Sequence, residues 1–321
     1  MYSAGELRFV RAVGTGRDTV GKVASELGMT GNGAYRIARS LREKGVVSVS
    51  RGRVSLERRA HVGKLAEVLT GDAGLVDLLS GCGIPVLMGF LAPSTVTDVA
   101  RGLELNRVTV SRKASEASGR GILVRTDGGL TVNRRAWTDL AVFLEEQQRY
   151  DSVTVDGIDH PVTVYRRGRD FVVYSSPTDE GDPRTGFSVY GDHGVELVTR
   201  RTYYCRTDRE LTMADAFVHS LYIIEIEEDW NDRLLAVIFY LKHRDVLRRF
   251  NHPLIRRMES VIAGRSPKGW PLRSEVRDVM EAYGVEMPGE DRAWTFPSIG
   301  RLLRHHIHIA AEMRDPLSET T

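Results

Sequence analysis

The stretch TVGKVASELGMTGNGAYRIARSLREKGVVSVSRGRVSLERRA, residues 19–60, returns 76 positions later without a gap as TVTDVARGLELNRVTVSRKASEASGRGILVRTDGGLTVNRRA, residues 95–136. Thr19, Val20, Val23, Ala24 and Leu27 stand where Thr95, Val96, Val99, Ala100 and Leu103 stand. Arg36, Ala38, Gly45 and Gly52 match Arg112, Ala114, Gly121 and Gly128, and Arg58-Arg59-Ala60 matches Arg134-Arg135-Ala136. Elsewhere apolar faces apolar, as in Met29 and Leu105, Val46 and Ile122, or Val54 and Leu130. Two copies are too few for a solenoid, whose units bury a core only by stacking in series. They read as tandem copies of one small domain.

Each copy predicts the same elements. A short helix follows a Thr cap, with Val20, Val23, Ala24 and Leu27 at helical spacing. A turn at 28–30, or 104–106, leads to a second helix over 30–44, or 106–120, capped by Thr30 or Asn106. Gly45 and Gly121 end these helices, where a left-handed residue is wanted. Two β-rich runs follow: VVSVS and RVSLE around Arg51-Gly52, then ILVRT and LTVN around Asp127-Gly128-Gly129, both hairpin signals. A further helix precedes each copy, ELRFVRAVG (6–14) and IPVLMGFLA (84–92).

The segments KVASELGMTGNGAYRIARSLREKGVV and DVARGLELNRVTVSRKASEASGRGIL, each with a helix before it and a hairpin after it, resemble the winged helix-turn-helix domains of microbial transcription regulators. The resemblance covers about 1–150. It implies a DNA-binding regulator whose recognition helices, 30–44 and 106–120, lie in the major groove of double-stranded DNA.

Side-chain chemistry selects the groove-facing residues. Ala34, Ile37, Ala38 and Leu41 form an inward stripe, which leaves Asn32, Tyr35, Arg36, Arg39, Ser40 and Arg42 outside, after Thr30 at the cap. Arg pairs bidentately with guanine and Asn with adenine, so Asn32 and Arg36 suit base edges. Arg39 and Arg42, farther along, suit phosphates, as do Arg51 and Arg53 at the hairpin tip and Arg58 beyond it. In the second copy the candidates are Asn106, Arg107, Thr109, Ser111, Arg112, Lys113 and Arg125, and Val108 either meets a thymine methyl or packs inward. Two differences stand out: Ala117 replaces the core leucine Leu41, predicting a less firmly anchored helix, and Asp127 replaces Arg51 at the tip.

Charge follows the same division. Residues 1–150 hold 22 Lys and Arg against 15 Asp and Glu, whereas 151–321 hold 23 against 28. A basic half joined to an acidic one points to polyanion binding by the first. With 41% hydrophobic and 27% charged residues, the chain is globular rather than disordered. The two cysteines, Cys82 and Cys205, form no CxxC motif and imply no disulfide framework, which predicts a cytoplasmic protein. No signal peptide is visible, and LLAVIFYL (234–241) is too short to span a bilayer, so no membrane role is expected. The expected fold is α+β: a first winged helix domain over 1–60, a helical linker over 61–81, a second winged helix domain with a trailing helix over 82–151, and an α+β domain over 152–321 with a small sheet and several helices.

In that last domain SVTVDG, PVTVYRRG, DFVVYSS, GFSVYG and VELVTRRTYYC read as strands. Residues 211–250 read as helical, with Thr212 and Asp215 forming a capping box, and further helices are predicted near 252–263, 271–283 and 297–313. Strands ending at RTYYC, then helices like ELTMADAFVHSLYI and RLLAVIFYLKHRD, resemble the C-terminal domain of AbiEi-type antitoxins of type IV toxin–antitoxin systems. That resemblance implies a repressor of its own operon that also binds a nucleotidyltransferase-like toxin.

Other chemistry is thinly represented. His305, His306 and His308 lack the companions of a zinc site. EIEED (225–229) and PTDEGD (177–182) are rich in carboxylates and offer a divalent-ion site to an enzyme acting on nucleic acid, but a solvated helix end and an acidic loop account for them more simply. No Walker loop, GxGxxG or GxSxG occurs, so no cofactor and no catalytic residue is expected and the chain does not read as an enzyme. A protein-interaction scaffold is the remaining alternative. A homodimer would supply paired half-site readers, as would two winged helices in one chain.

Overall fold

A computed structural model describes residues 1–283 except 169, 198, 200, 251, 281 and 282. The described chain is α+β, mostly helical with small β-sheets. It divides into two compact units, one comprising 1–183 with 204–209, the other 184–203 and the described residues from 210 onward.

In the first unit, α1 (Ala4–Gly14) starts at a capping box: Ser3 Oγ accepts the Glu6 N–H, and the Glu6 carboxylate accepts the Ser3 N–H. Helices α2 (Val20–Glu26) and α3 (Gly31–Glu43) follow, capped by Thr19 and Thr30. Strands β1 (Val47–Ser50) and β2 (Arg53–Leu56) pair antiparallel, Val47 opposite Leu56 and Ser50 opposite Arg53. The turn residues Arg51 and Gly52 have φ of 48° and 78°, the left-handed pair that lets a two-residue turn follow the strand twist. β2 also pairs with the residues ahead of α2, Val54 N–H donating to the Asp18 carbonyl at 2.9 Å.

Helices α4 (Ala60–Gly71) and α5 (Leu75–Leu79) come next. The second copy then repeats the first with α6 (Gly83–Met88), α7 (Val96–Gly102), α8 (Arg107–Gly119), β3 (Leu123–Thr126) and β4 (Gly129–Val132). Leu130 and Ser94 exchange both backbone hydrogen bonds, at 2.8 and 3.0 Å, as Val54 and Asp18 meet in the first copy. Gly129 sits at this crossing with φ of 124°, where a Cβ would lie 2.3 Å from the Ser94 carbonyl oxygen. Only glycine fits there. Helix α9 (Thr138–Val153) closes the copy.

One hydrophobic core runs through both copies and the helices between and after them. α4 packs against both α1 and α9. Val62, Leu65 and Leu69 of α4 are fully buried, as are Leu78 and Leu79 of α5. Residues 61–81, expected to link the copies, therefore lie in the middle of their common core. Polar contacts reinforce it. Lys44, at the end of α3, and Ser40 both bond Glu6. Burial pushes the Glu6 carboxyl up, but the hydrogen bonds from Lys44, the Ser3 backbone and Ser40 outweigh it and hold the carboxyl below its ordinary range.

The expected boundary after residue 151 falls inside this unit. SVTVDG is not a strand, because α9 runs on through Val153. Strands β5 (Thr163–Arg167), β6 (Phe171–Ser176) and β7 (Thr202–Thr207) form a sheet in that order. Arg167 reaches back to the carbonyls of Asp151 and Thr154, at 3.3 and 2.6 Å, and Arg166 reaches the carbonyl of Arg101 at 3.1 Å. A small cluster of Val155, Ile158, Val162, Tyr174 and Tyr204 packs on this sheet.

In the second unit, GFSVYG forms two 3₁₀ turns, Gly186–Val189 and Gly191–His193, not the expected strand. The cause is tertiary. Phe187 and Tyr190, three apart, are both buried; Tyr190 stacks on Phe239 at 3.8 Å and its hydroxyl meets Ser220 Oγ at 2.5 Å. A strand would point these two rings to opposite faces. The run VELVTRRTYYC is regular only from Thr202 onward among its described residues. α10 (Met213–Glu227) starts at the expected Thr212–Asp215 capping box. Glu228, left-handed at φ 52°, ends it, and Asp229 caps α11 (Trp230–Lys242). α12 (Arg244–Leu247), α13 (Pro253–Ile262) and α14 (Arg273–Met280) complete the described unit. The predicted helix 297–313, with His305, His306 and His308, lies outside the described residues.

His61 opens α4 at 3% exposure, its ring stacked on Tyr150 at a centroid distance of 4.1 Å. Burial, then the charge of Arg59, pushes its imidazole down to about 4. The unfolded chain, with an ordinary histidine, binds more protons in the window from about 6.5 down to about 4, so stability falls as pH falls through it. Urea unfolding at about pH 7.5 and about pH 4 is expected to show wild type losing roughly 2–3 kcal/mol more than His61→Phe, which keeps the stacked ring without the proton site. Equal losses in the two proteins would refute the buried neutral imidazole.

Candidate nucleic-acid interface

α3 starts where Thr30 Oγ1 accepts the Gly33 N–H at 3.2 Å. Ala34, Ala38 and Leu41 are buried, and Ile37 packs half-buried against the core. The opposite face carries Asn32, Tyr35, Arg36, Arg39 and Arg42, all exposed, so this stripe falls where helical spacing predicts. Arg39 pairs with Glu43 at 2.9 Å, one turn on. Both side chains are solvated, and such a pair holds Arg39 only weakly. Arg36, Arg42, Arg51, Arg53 and Arg58 have no carboxylate at ion-pair distance among the described residues.

The hairpin tip adjoins this helix face. Tyr35 is 52% exposed, and a Cβ built on Gly52 would stand 3.5 Å from its hydroxyl. Exposed Arg51 and Arg53 flank that glycine. Helix face and hairpin tip thus make one continuous cationic surface. Arg58 is exposed, while its neighbour Arg59 is engaged: its guanidinium bonds the Tyr150 hydroxyl and lies 5.3 Å from that ring's centroid.

The second copy is built alike and equipped differently. Asn106 caps α8, its Oδ1 accepting the Val108 N–H at 2.8 Å. Arg107, Ser111 and Arg112 are exposed, and Thr109 is half-buried. Val108 points outward at 74% exposure, which resolves its two expected orientations. Ser115, one turn beyond Ser111, is exposed on this helix as well and extends the candidate set; the same i, i+4 spacing would have found it.

Lys113 is a correction. It was expected on the outer face, but its side chain is only 12% exposed and its Nζ donates to the carbonyls of Asp77 and Leu78 at 2.7 and 3.0 Å. The last turn of a helix leaves its carbonyls without intrahelical partners, and in α5 Lys113 takes two of them. Arg120 likewise donates to the Gly74 carbonyl at 2.8 Å, just ahead of α5. Ala117 is fully buried in the position of Leu41, and these two polar ties hold α8 where the leucine is missing. At the second tip Arg125 and Asp127 are exposed, and Gly128 lies against Pro93, a Cβ there falling 3.0 Å from that ring.

The acidic loop 177–182 has its carboxylates in use. Asp182 accepts from the Tyr174 hydroxyl at 2.5 Å and from Arg206 Nε at 2.9 Å, and Glu180 accepts from Ser176 and Thr178. Among the described residues no group of three or more His, Cys, Asp or Glu side chains is placed to hold a metal ion. Nor is any described helix long and apolar enough to cross a membrane. Comparisons with protein-family models, curated proteins and solved structures found no match.

The two neighbours Arg112 and Lys113 are expected to separate in stability. Lys113→Ala loses two hydrogen bonds from a nearly buried ammonium, so urea unfolding should show a loss of about 1–2 kcal/mol. Arg112→Ala, on the exposed face, should stay within about 0.5 kcal/mol of wild type. Equal effects would mean that Lys113 is not a tie to α5.

Proposed function

We propose that this protein is a sequence-specific DNA-binding regulator of transcription, in which the two copies are winged helices and α3 and α8 are their recognition helices. The observation that carries this reading is the cationic face of α3 continuous with the Arg51-Gly52-Arg53 tip, opposite a fully apolar inner stripe. Asn32 and Arg36, near the helix start, have the donor and acceptor pattern for adenine and guanine edges in the major groove. Arg39 and Arg42 suit the phosphates that fix register, and Arg51 and Arg53 suit the backbone or the minor groove. In the second copy Arg107, Ser111 and Arg112 are the polar readers and Val108 is an apolar contact for a thymine methyl. Its acidic tip contributes little to phosphate binding.

The common core supports a further feature of this function. Because α4 joins the copies from inside, one chain carries two reading heads at a fixed separation. It supplies by itself the pair of readers that most helix-turn-helix regulators obtain by dimerising.

Selection of bound duplexes from a random pool, followed by affinity measurements on the selected site, tests both points. About 6–8 phosphate contacts should give log K against log salt a slope of roughly −5 to −7. Inserting about five base pairs between the two halves of the site should prevent simultaneous engagement and weaken binding by about a hundredfold. Absence of salt-dependent duplex binding would overturn the DNA-binding reading. Binding that tolerates every spacer would leave that reading standing and overturn the fixed pair of heads.

A further inference from the structure

The second unit contains a run that the DNA-binding reading leaves unused. Residues 244–257, RDVLRRFNHPLIRR, hold five arginines and one carboxylate, within a half of the chain that is otherwise acidic. Several of these arginines meet at a hollow of about 410 Å³, lined by Arg248, Arg249 and Arg256 with Tyr240, Phe250 and Ile255, and completed by His252 and Glu259.

Glu259 is the acid in this lining, and it is already engaged. Arg244 donates to both of its oxygens, at 3.1 and 2.8 Å, and the Tyr240 hydroxyl donates to it at 2.5 Å. His252 lies 3.6 Å from Glu225, on α10. Arg248 and Arg249 have no ion-pair partner among the described residues, and Arg249 lies 5.5 Å from the centroid of the Phe250 ring. Among the described residues, Arg248 and Arg249 therefore bring uncompensated guanidinium charge beside an aromatic and aliphatic wall. Guanidinium groups match phosphate oxygens in charge and in the geometry of their paired N–H donors. Small-ligand pockets have volumes of about 300–1,000 Å³.

We infer that this hollow binds a small organic phosphate of mononucleotide size, its phosphate held by Arg248 and Arg249 and its apolar part against Phe250 and Ile255. The hollow belongs to the second unit, whereas α3 and α8 belong to the first.

Titration calorimetry of the full chain tests this with inorganic phosphate and adenosine monophosphate as probes. Saturable one-to-one binding of the monophosphate is expected, with a dissociation constant on the order of 1 mM or tighter and weaker competition by inorganic phosphate. R248A/R249A should weaken it at least about tenfold, a factor matching one lost charge-assisted contact. R248K/R249K, which keeps the charge, should retain part of it, and both variants should keep the thermal unfolding midpoint of wild type. No saturable heat with either probe overturns the proposal. So does unchanged binding in R248A/R249A. If R248A/R249A instead loses affinity for duplex DNA and the monophosphate competes only with DNA, the surface is a backbone contact and the small-ligand site is refuted.

Discussion

The first unit depends on where α4 buries its apolar face. Val62, Leu65 and Leu69 are fully buried between α1 and α9, each such side chain contributing about 1.5–3 kcal/mol. Arg59 and His61, at the start of the helix, close on Tyr150 of α9. A copy alone, at roughly 60 residues, would bury too small a fraction of its surface to be more than marginally stable. Sharing α4 and α9 removes that limit for both copies at once. It also fixes them to each other, so the requirement for a core and the placement of the two exposed helix faces have the same cause.

Much of this was legible because the repeat is a repeat of constraints. The stripe Ala34, Ala38, Leu41 and its counterpart Val110, Ala114, Ala117 follow from helical spacing, and the hairpins follow from turn residues at Arg51-Gly52 and Asp127-Gly128. What could not be read locally was set by partners distant in sequence. Lys113 lies beside the inner stripe of α8, and the carbonyls of Asp77 and Leu78, distant in sequence, draw it inward. GFSVYG has the texture of a strand, yet Phe239 and Ser220 hold Tyr190 and impose a turn. The strand cluster after 151 looked like a new domain because its composition changes there, whereas Arg166 and Arg167 tie it to carbonyls of Arg101, Asp151 and Thr154.

The two copies have diverged in a physically consistent direction. In the first, Leu41 anchors α3 from inside, and on the outer face Arg36 and Arg42 have no carboxylate partner among the described residues while Arg39 has only its solvated pair with Glu43. In the second, Ala117 leaves less to bury, and two of the helix's basic residues, Lys113 and Arg120, are committed to backbone carbonyls around α5. The tip follows the same trend: Arg51 is exposed in one copy, while the other presents Asp127 and rests its glycines on Pro93 and Ser94. Charge that serves anchoring is not available for contact. The first copy therefore presents more uncommitted cationic charge than the second, whose exposed cations on α8 are Arg107 and Arg112.

The same distinction between net and local charge bears on the second unit. That unit holds 18 Lys and Arg against 20 Asp and Glu, so its overall field is close to neutral. Beyond about 10 Å that field is screened at ordinary salt, and what an anion meets on contact is the local arrangement. At the hollow beside α13 the one lining carboxylate is neutralised by Arg244, and Arg248 and Arg249 are left to the solvent side. Near-neutral net charge on the unit thus coexists with a local excess of guanidinium groups, and it is this local excess that an anion would meet at the hollow.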